Sequence, residues 1–154
     1  MTFTQRLTIA CYYEDQVLNA LRHQGWHAEA FGQALLTEPM RKHLRMHDTP
    51  ARWLPDIIAA KDDVLVYVDA KASTAIRTGN HAVEDDSTQA LMRWQDFQGA
   101  PVLYAFPHHS GHSLVPLSLW NEHKRPAPFV GNGSGTPFNV APCQDICQLV
   151  MAVV

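Results

Sequence analysis

The stretch that most constrains the fold is Val64–Ala70, a short run of β-branched, aromatic and aliphatic residues. Such a run is typical of a strand buried on both faces. Asp69 lies near the end of this run, and Lys71 follows two residues later. Side chains two apart on a strand point to the same face, so an acid and an amine lie side by side where this strand ends. Charges in such a place are costly unless they are paired or bind a ligand.

A second apolar run, Trp53–Ala60, precedes the first, and two aspartates stand in the turn between them. This spacing predicts a β-hairpin. If the two aspartates form a two-residue loop, Lys61 pairs with Val64 and Asp56 falls directly opposite Asp69. Two facing carboxylates repel each other unless a cation lies between them, and oxygen ligands suit Mg²⁺ or Mn²⁺ rather than Zn²⁺. A slip of one residue would place the two acids on opposite faces.

The rest of the pattern predicts helices and strands in the order helix, three strands, helix, strand, strand. The predicted elements are a helix over Thr8–Gln24, strands over Trp26–Phe31, Trp53–Ala60 and Val64–Ala70, a helix over Asp85–Gln98, strands over Pro101–Phe106 and Leu114–Leu119, a loop over Asn121–Pro137 and a closing helix over Gln144–Val154. This order predicts an α/β fold with a mixed sheet flanked by helices, in which a right-handed crossover makes two strands parallel. We expect a single domain over the 154 residues, with its core at about residues 8–120 and a C-terminal loop and short helix over 121–154.

Composition narrows the class of protein further. A formal net charge of −3 argues against a protein that coats nucleic acid through bulk positive charge. Three cysteines exclude a disulfide framework in which every cysteine is paired. Met1–Ala10 lacks the basic and apolar segments of a signal peptide, and no stretch is apolar enough to span a membrane. We therefore expect a cytoplasmic protein.

The string Pro55-Asp56, twelve residues, then Asp69-Ala70-Lys71 resembles the signature of the PD-(D/E)XK nuclease superfamily. This superfamily has the restriction-endonuclease-like fold and includes Holliday junction resolvases. The resemblance extends over roughly residues 12–106, because the order of the predicted elements also agrees. Such a string also occurs by chance, so its support comes from the predicted hairpin around it.

The resemblance implies further site residues. Many members carry a glutamate on the first helix that completes the metal site, and Glu14 matches that position. Members often carry a glutamine or lysine on the helix after the acid-x-Lys strand, which Gln89 matches. The implied metal ligands are Glu14, Asp56, Asp69 and the main-chain carbonyl of Ala70.

The implied activity is hydrolysis of phosphodiester bonds with Mg²⁺ or Mn²⁺ as the cofactor. Lys71 would orient or deprotonate the attacking water, or stabilise the pentavalent phosphorus, and the sequence does not choose between these roles. With Glu14, Asp56 and Asp69 facing a cation, the formal charge of the remaining chain is −3 plus 3, or 0. The net charge then no longer argues against a DNA partner.

The basic run before the hairpin is a candidate DNA-binding segment, because lysine and arginine supply phosphate contacts. Its candidate residues are Arg41, Lys42, Arg45 and Arg52. A solvated helix face or a loop is the alternative interpretation of this run. A zinc site is a further alternative, built from His108, His109, His112, Cys143 and Cys147. The spacing of these residues meets the usual zinc-ligand pattern only weakly, so loop histidines and half-buried thiols are the expectation.

These observations lead us to expect a metal-dependent DNA endonuclease, with branched or junction DNA as the first substrate to consider. The resemblance also implies a homodimer with one site per DNA strand. The alternative enzyme is a nicking or restriction-type nuclease of a mobile element that acts with a protein partner supplying specificity. The alternative outside enzymes is a nucleic-acid-binding or assembly module that retains the fold without catalysis. A structural salt bridge at the strand ends is the alternative interpretation of the charged residues.

Overall fold

The structure, a computed structural model, describes residues 3–72, 78–108, 111–127 and 137–143 of the chain. The helices are α1 (Phe3–His23), α2 (Glu38–Leu44), α3 (Asp85–Gln98) and α4 (Leu117–His123), with short 3₁₀ turns at Gln33–Leu35 and Pro50–Trp53. The strands are β1 (His27–Ala30), β2 (Ile57–Lys61), β3 (Val64–Ala70), β4 (Asn80–Glu84), β5 (Val102–His108), β6 (Gly111–Pro116), β7 (Arg125–Pro126) and β8 (Phe138–Pro142).

The main sheet has five strands in the order β1-β2-β3-β5-β6. Strands β3 and β5 are parallel and are joined through α3, whereas the other neighbouring pairs are antiparallel. This is the mixed sheet that the sequence predicts. Strands β4, β8 and β7 form a second, antiparallel sheet in that order.

The hairpin of β2 and β3 has the predicted register. Lys61 pairs with Val64, and the ladder runs to the pair of Ile57 with Val68. Asp62, in the turn, has a positive φ of 52°, as tight hairpin turns require. One step beyond the last pair, Asp56 faces Asp69, so the two acids come together as expected.

Both faces of the main sheet are covered at its centre, whereas Val64 and Leu65 at the start of β3 are exposed, so the expectation of a strand buried along its whole length is wrong there. On one face α1 packs Val17 and Leu21 against alternate residues of β2, β3 and β5. On the other face the residues that alternate with these, such as Tyr104, pack with Leu91 of α3 and Trp120 of α4. Strand β5 is therefore buried on both sides, which explains its continuous apolar sequence.

The part of the chain after β5 differs most from the expectation. Leu114–Leu119 is a strand only as far as Pro116, and a helix over Leu117–His123 follows because Leu117 and Trp120, three residues apart, bury one helical face. The predicted loop over Asn121–Pro137 contains the end of this helix and the edge strand β7. Strands β4 and β8 were not predicted. The predicted helix over Gln144–Val154 lies outside the described residues.

In the described residues no helix is both long enough and apolar enough to cross a membrane.

Candidate active site

The hairpin holds Asp56 against the end of β3. The Asp56 carboxylate accepts a hydrogen bond from the amide of Ala70, with 2.8 Å between Oδ2 and N. The amide of Lys71 in turn donates to the carbonyl of Ala105, at 2.9 Å, so the chain is held on both sides just where β3 ends. The predicted group Asp56, Asp69 and Lys71 therefore lies on backbone that hydrogen bonds fix on both sides.

Lys71 forms an ion pair with Asp69, and both side chains are largely buried, with 20% and 12% of their surfaces exposed. The Lys71 ammonium also lies over the ring of Tyr104, with 5.0 Å between Nζ and the ring centroid. The hydroxyl of Tyr104 shares a 3.0 Å hydrogen bond with that of Thr88 on α3. A carboxylate and an aromatic face thus hold the ammonium in place from two sides.

Burial and repulsion between carboxylates raise the pKa values of two acids at this cluster, Asp56 and Glu14. Burial, together with the charges of Asp69 and Glu14, raises the pKa of Asp56 well above its usual range. Burial and the charge of Asp69 also raise the pKa of Glu14, which is half-buried on α1. Burial has the largest single effect and lowers the pKa of Lys71, but the charges of Asp69, Tyr104 and Asp56 and the hydrogen bond to Asp69 together outweigh it, so the pKa is raised. The structure therefore brings three acids within electrostatic reach of one another beside the Lys71 ammonium.

The donor set fits a hard divalent cation in its chemistry, since three carboxylates and the carbonyl of Ala70 offer only oxygen ligands. In the described part of the chain, however, no three His, Cys, Asp or Glu side chains converge closely enough to hold a metal ion as they stand. The pKa values of Asp56 and Glu14 are raised first by burial and then by repulsion between the acids, and a bound cation would relieve that repulsion.

A cavity of about 540 Å³ opens beside this cluster. It is lined by Asp56, Asp69 and Lys71 together with residues of the 3₁₀ turns, β4, α3 and β8. Two of the four basic candidates, Arg45 and Arg52, are in the lining.

The other candidates lie elsewhere. Arg41 donates to the carbonyl of Leu36, and Lys42 is ion-paired with Glu38 on the surface of α2. Gln89 is exposed on α3, contacts Asp85 through a hydrogen bond and does not line the cavity. For the zinc alternative, His109 and Cys147 lie outside the described residues, and the described histidines and cysteines form no cluster of three.

Sequence reasoning missed several residues that border the cluster. Tyr104 was predicted only as part of an apolar strand, although a tyrosine within a buried run signals a hydroxyl that needs a partner. Glu84 and Phe138 line the cavity from β4 and β8. No local signal identifies these two, because they reach the site through a sheet that the sequence did not predict.

Comparisons with known proteins bear on the fold. No family model matches the chain, and no relative was found among the curated proteins. Among solved structures, it is similar to a Holliday junction resolvase of the archaeal hyperthermophile Archaeoglobus fulgidus. That match has a TM-score of 0.57 and 12% sequence identity, and it covers 94% of this chain and 91% of the resolvase. A second match is D212, a nuclease from a fusselovirus, with a TM-score of 0.46, 10% identity and coverage of 94% and 85%.

At these identities the match to the resolvase shows a shared fold. The expected fold class is confirmed: the chain has a mixed five-stranded sheet flanked by helices, like that of the resolvase. The Asp56–Asp69–Lys71 cluster lies where β3 of this sheet ends.

Proposed function

We propose that the protein is a divalent-metal-dependent DNA endonuclease, with branched or junction DNA as its first candidate substrate. The observation that carries the proposal is the cluster of Asp56, Asp69 and Lys71, which two neighbouring strands hold together within a fold shared with a DNA junction resolvase. An ion pair built only for stability would not need the further buried acid, Asp56, whose charge is left to repel Asp69.

In this proposal Asp56, Asp69, Glu14 and the carbonyl of Ala70 would hold Mg²⁺ or Mn²⁺. When bound, the metal would lower the pKa of a water molecule and neutralise charge on the phosphate. Asp56 also fixes the end of β3 through the amide of Ala70, so that the same carboxylate orders the backbone that carries Asp69 and Lys71.

The contacts of Lys71 support one of the roles that the sequence left open. Its ammonium is held by Asp69 and by the face of Tyr104, and both contacts favour the positively charged side chain. Lys71 then stabilises the negative charge that develops on the phosphate, rather than removing a proton from water. Arg45 and Arg52 line the same cavity and supply cations for the neighbouring phosphates.

The assembly follows from the proposed substrate. To cut both strands of a junction, we propose a homodimer with one site per strand. A protein partner that supplies specificity belongs to the alternative restriction-type function.

A cleavage panel tests the proposal. The protein is incubated with a four-way junction, linear duplex, single strand, supercoiled plasmid and RNA, with and without Mn²⁺. We expect cleavage of DNA only with the metal, and a rate at least about 10²-fold lower for Lys71→Ala, as for the loss of other groups that stabilise transition-state charge.

Lys61→Ala is the matched control. Lys61 lies at the other end of the same hairpin, where its ammonium donates to the carbonyl of Gln24. We expect this variant to cleave at the wild-type rate. Cleavage that survives Lys71→Ala would contradict the assigned mechanism, and a wild-type protein that cleaves nothing would contradict the proposed activity.

A further inference from the structure

The cavity beside the catalytic cluster is larger and more varied than phosphate binding requires. Besides the cluster, its lining includes two aromatic residues, Trp53 and Phe138, which are both half-buried. The lining also includes the amide-bearing Gln33 and the carboxylate-bearing Glu84. These four residues come from four separate elements, the two 3₁₀ turns, β4 and β8, which converge around the cavity.

A phosphate does not account for this lining. The carboxylate of Glu84 repels an anion, and the rings of Trp53 and Phe138 offer it no hydrogen-bond donor apart from one indole N–H. A nucleobase accounts for all four residues. Bases stack on aromatic rings, and their edges carry both donors and acceptors, which an amide and a carboxylate complement.

The positive charges beside the cavity are placed as binding of a nucleotide, with its base in the cavity, would require. Arg45 and Arg52 also line it, and the Arg52 guanidinium lies 5.3 Å from the ring centroid of Trp53. Cations for the sugar-phosphate backbone are thus placed beside the aromatic surface for the base.

The size of the cavity indicates whether the bound base is stacked or unstacked. A volume of about 540 Å³ is that of a small-molecule site and is too small for stacked base pairs. A base that enters must leave its stack, which costs least where it is already unpaired.

We propose that this cavity binds one unstacked nucleobase next to the phosphate that is cut. The substrate class is then DNA with an unpaired nucleotide at the cleavage site, as at a branch point, a flap or a single strand. This inference rests on the proposed nuclease function and adds the feature of DNA that the site selects.

DNA binding measured in Ca²⁺, without Mg²⁺ or Mn²⁺, tests whether a nucleobase occupies the cavity, separately from catalysis. Two DNA probes carry 2-aminopurine at the same position, either in a regular duplex or unpaired at a flap. We expect wild-type protein to bind the flap at least about tenfold more tightly, and the 2-aminopurine fluorescence to fall as the base stacks on aromatic rings.

Trp53→Leu and Phe138→Leu should each reduce the preference for the flap several-fold and leave the affinity for duplex unchanged. The matched control is Phe97→Leu, since Phe97 is 78% exposed on α3 and does not line the cavity. Circular dichroism shows that each variant is folded, and Phe138→Leu carries the test if Trp53→Leu does not fold.

Equal binding of flap and duplex, or a preference that survives in both folded variants, would overturn the assigned occupant. A preference in Ca²⁺ without any cleavage in Mn²⁺ would support the base site and count against the nuclease. Cleavage in Mn²⁺ without a preference for the flap would support the nuclease and count against the base site.

Discussion

At the scale of single residues, the most informative contact is the one between Lys71 and Tyr104. The ring lies under the ammonium, and its hydroxyl is fixed by Thr88 on α3. Burial raises the pKa of Tyr104 to about 12, so the phenol stays neutral and protonated at physiological pH. In the proposed function, Tyr104 is therefore a positioning residue that acts by holding the Lys71 cation.

Replacing the ring should slow the chemical step. Tyr104→Leu removes the aromatic face and should lower the cleavage rate at saturating DNA about tenfold, in line with the strength of buried cation–π contacts. Tyr104→Phe keeps the face and should retain most of the rate.

Phe106→Leu is the control for simple loss of packing, because Phe106 is equally buried two residues further along the same face of β5. It should lose stability in urea without a comparable loss of rate. Equal rates for Tyr104→Leu and the wild type would show that the ring does not position Lys71.

His81 makes a separate prediction about stability. It is buried in β4 and stacked on Phe106, with 4.1 Å between ring centroids. Burial, helped by the charge of His108, lowers the pKa of His81 to about 4. The unfolded chain takes up a proton near pH 6.5, whereas the folded chain resists it until about pH 4, so stability is lost as pH falls through this window.

Urea unfolding between pH 7.5 and 4 measures this loss. The contribution of His81 should reach about 3 kcal/mol at the acid end, from a shift of some 2.5 pH units. In His81→Leu, the free energy of unfolding should depend less on pH by about that amount. A variant with the wild-type pH dependence would show that His81 is not the group responsible.

At the scale of elements, the turn after β1 controls the position of Asp56. Gly32 has φ 44° and ψ −167°, a conformation open essentially to glycine alone. A Cβ there would lie 2.6 Å from the carbonyl oxygen of Pro55 and 3.1 Å from Cα of Asp56. The glycine thus lets two backbone segments approach closely just before Asp56.

Gly32→Ala should cost about 2 kcal/mol or more in urea unfolding, and it should slow cleavage because the Asp56 backbone has to move. Gly99→Ala is the matched control, since Gly99 has φ 84° but nothing within 4 Å of its added Cβ. It should cost only about 1 kcal/mol and leave the cleavage rate unchanged. Equal effects of the two substitutions would contradict a close approach at Gly32.

The elements also show which parts of the fold a sequence specifies locally. The hairpin was predictable in register because its turn is two residues long and its apolar pattern fixes the facing pairs. Helix α3 was predicted to the residue, since its apolar face and the glycine after it are both local signals. Strands β4 and β8 are not predicted by the local sequence. Each is only five residues long, and each is defined by its pairing with the other across more than fifty residues of chain.

At the scale of the whole molecule, the site is assembled from distant parts of the chain. Asp56, Asp69 and Lys71 lie on one hairpin, so the sequence could place them together. The aromatic and basic lining of the cavity comes from turns and strands on either side of that hairpin. Only the tertiary fold shows that Arg45 and Arg52 belong to this lining, whereas Arg41 and Lys42 make other contacts.

The acids that contribute to the formal net charge of −3 are unevenly distributed in the folded protein. Three of the acids, Glu14, Asp56 and Asp69, lie within electrostatic reach of one another at one end of β3. In the proposed function, binding of DNA at this site therefore requires that their charge be neutralised. We expect DNA affinity to depend on the divalent metal and to fall with salt.

The most direct test of a metal-dependent nuclease site at Asp56, Asp69 and Lys71 is the cleavage rate of a four-way DNA junction as Mn²⁺ is titrated against EDTA-treated protein. For the wild type, we predict no cleavage in EDTA and a rate that rises to saturation with Mn²⁺. For Asp69→Asn, which keeps the size of the side chain and removes its charge, we predict a rate at least about 10²-fold lower at every Mn²⁺ concentration. Cleavage that persists in EDTA, or an Asp69→Asn variant as fast as the wild type, would contradict a metal-dependent nuclease centred on Asp56, Asp69 and Lys71.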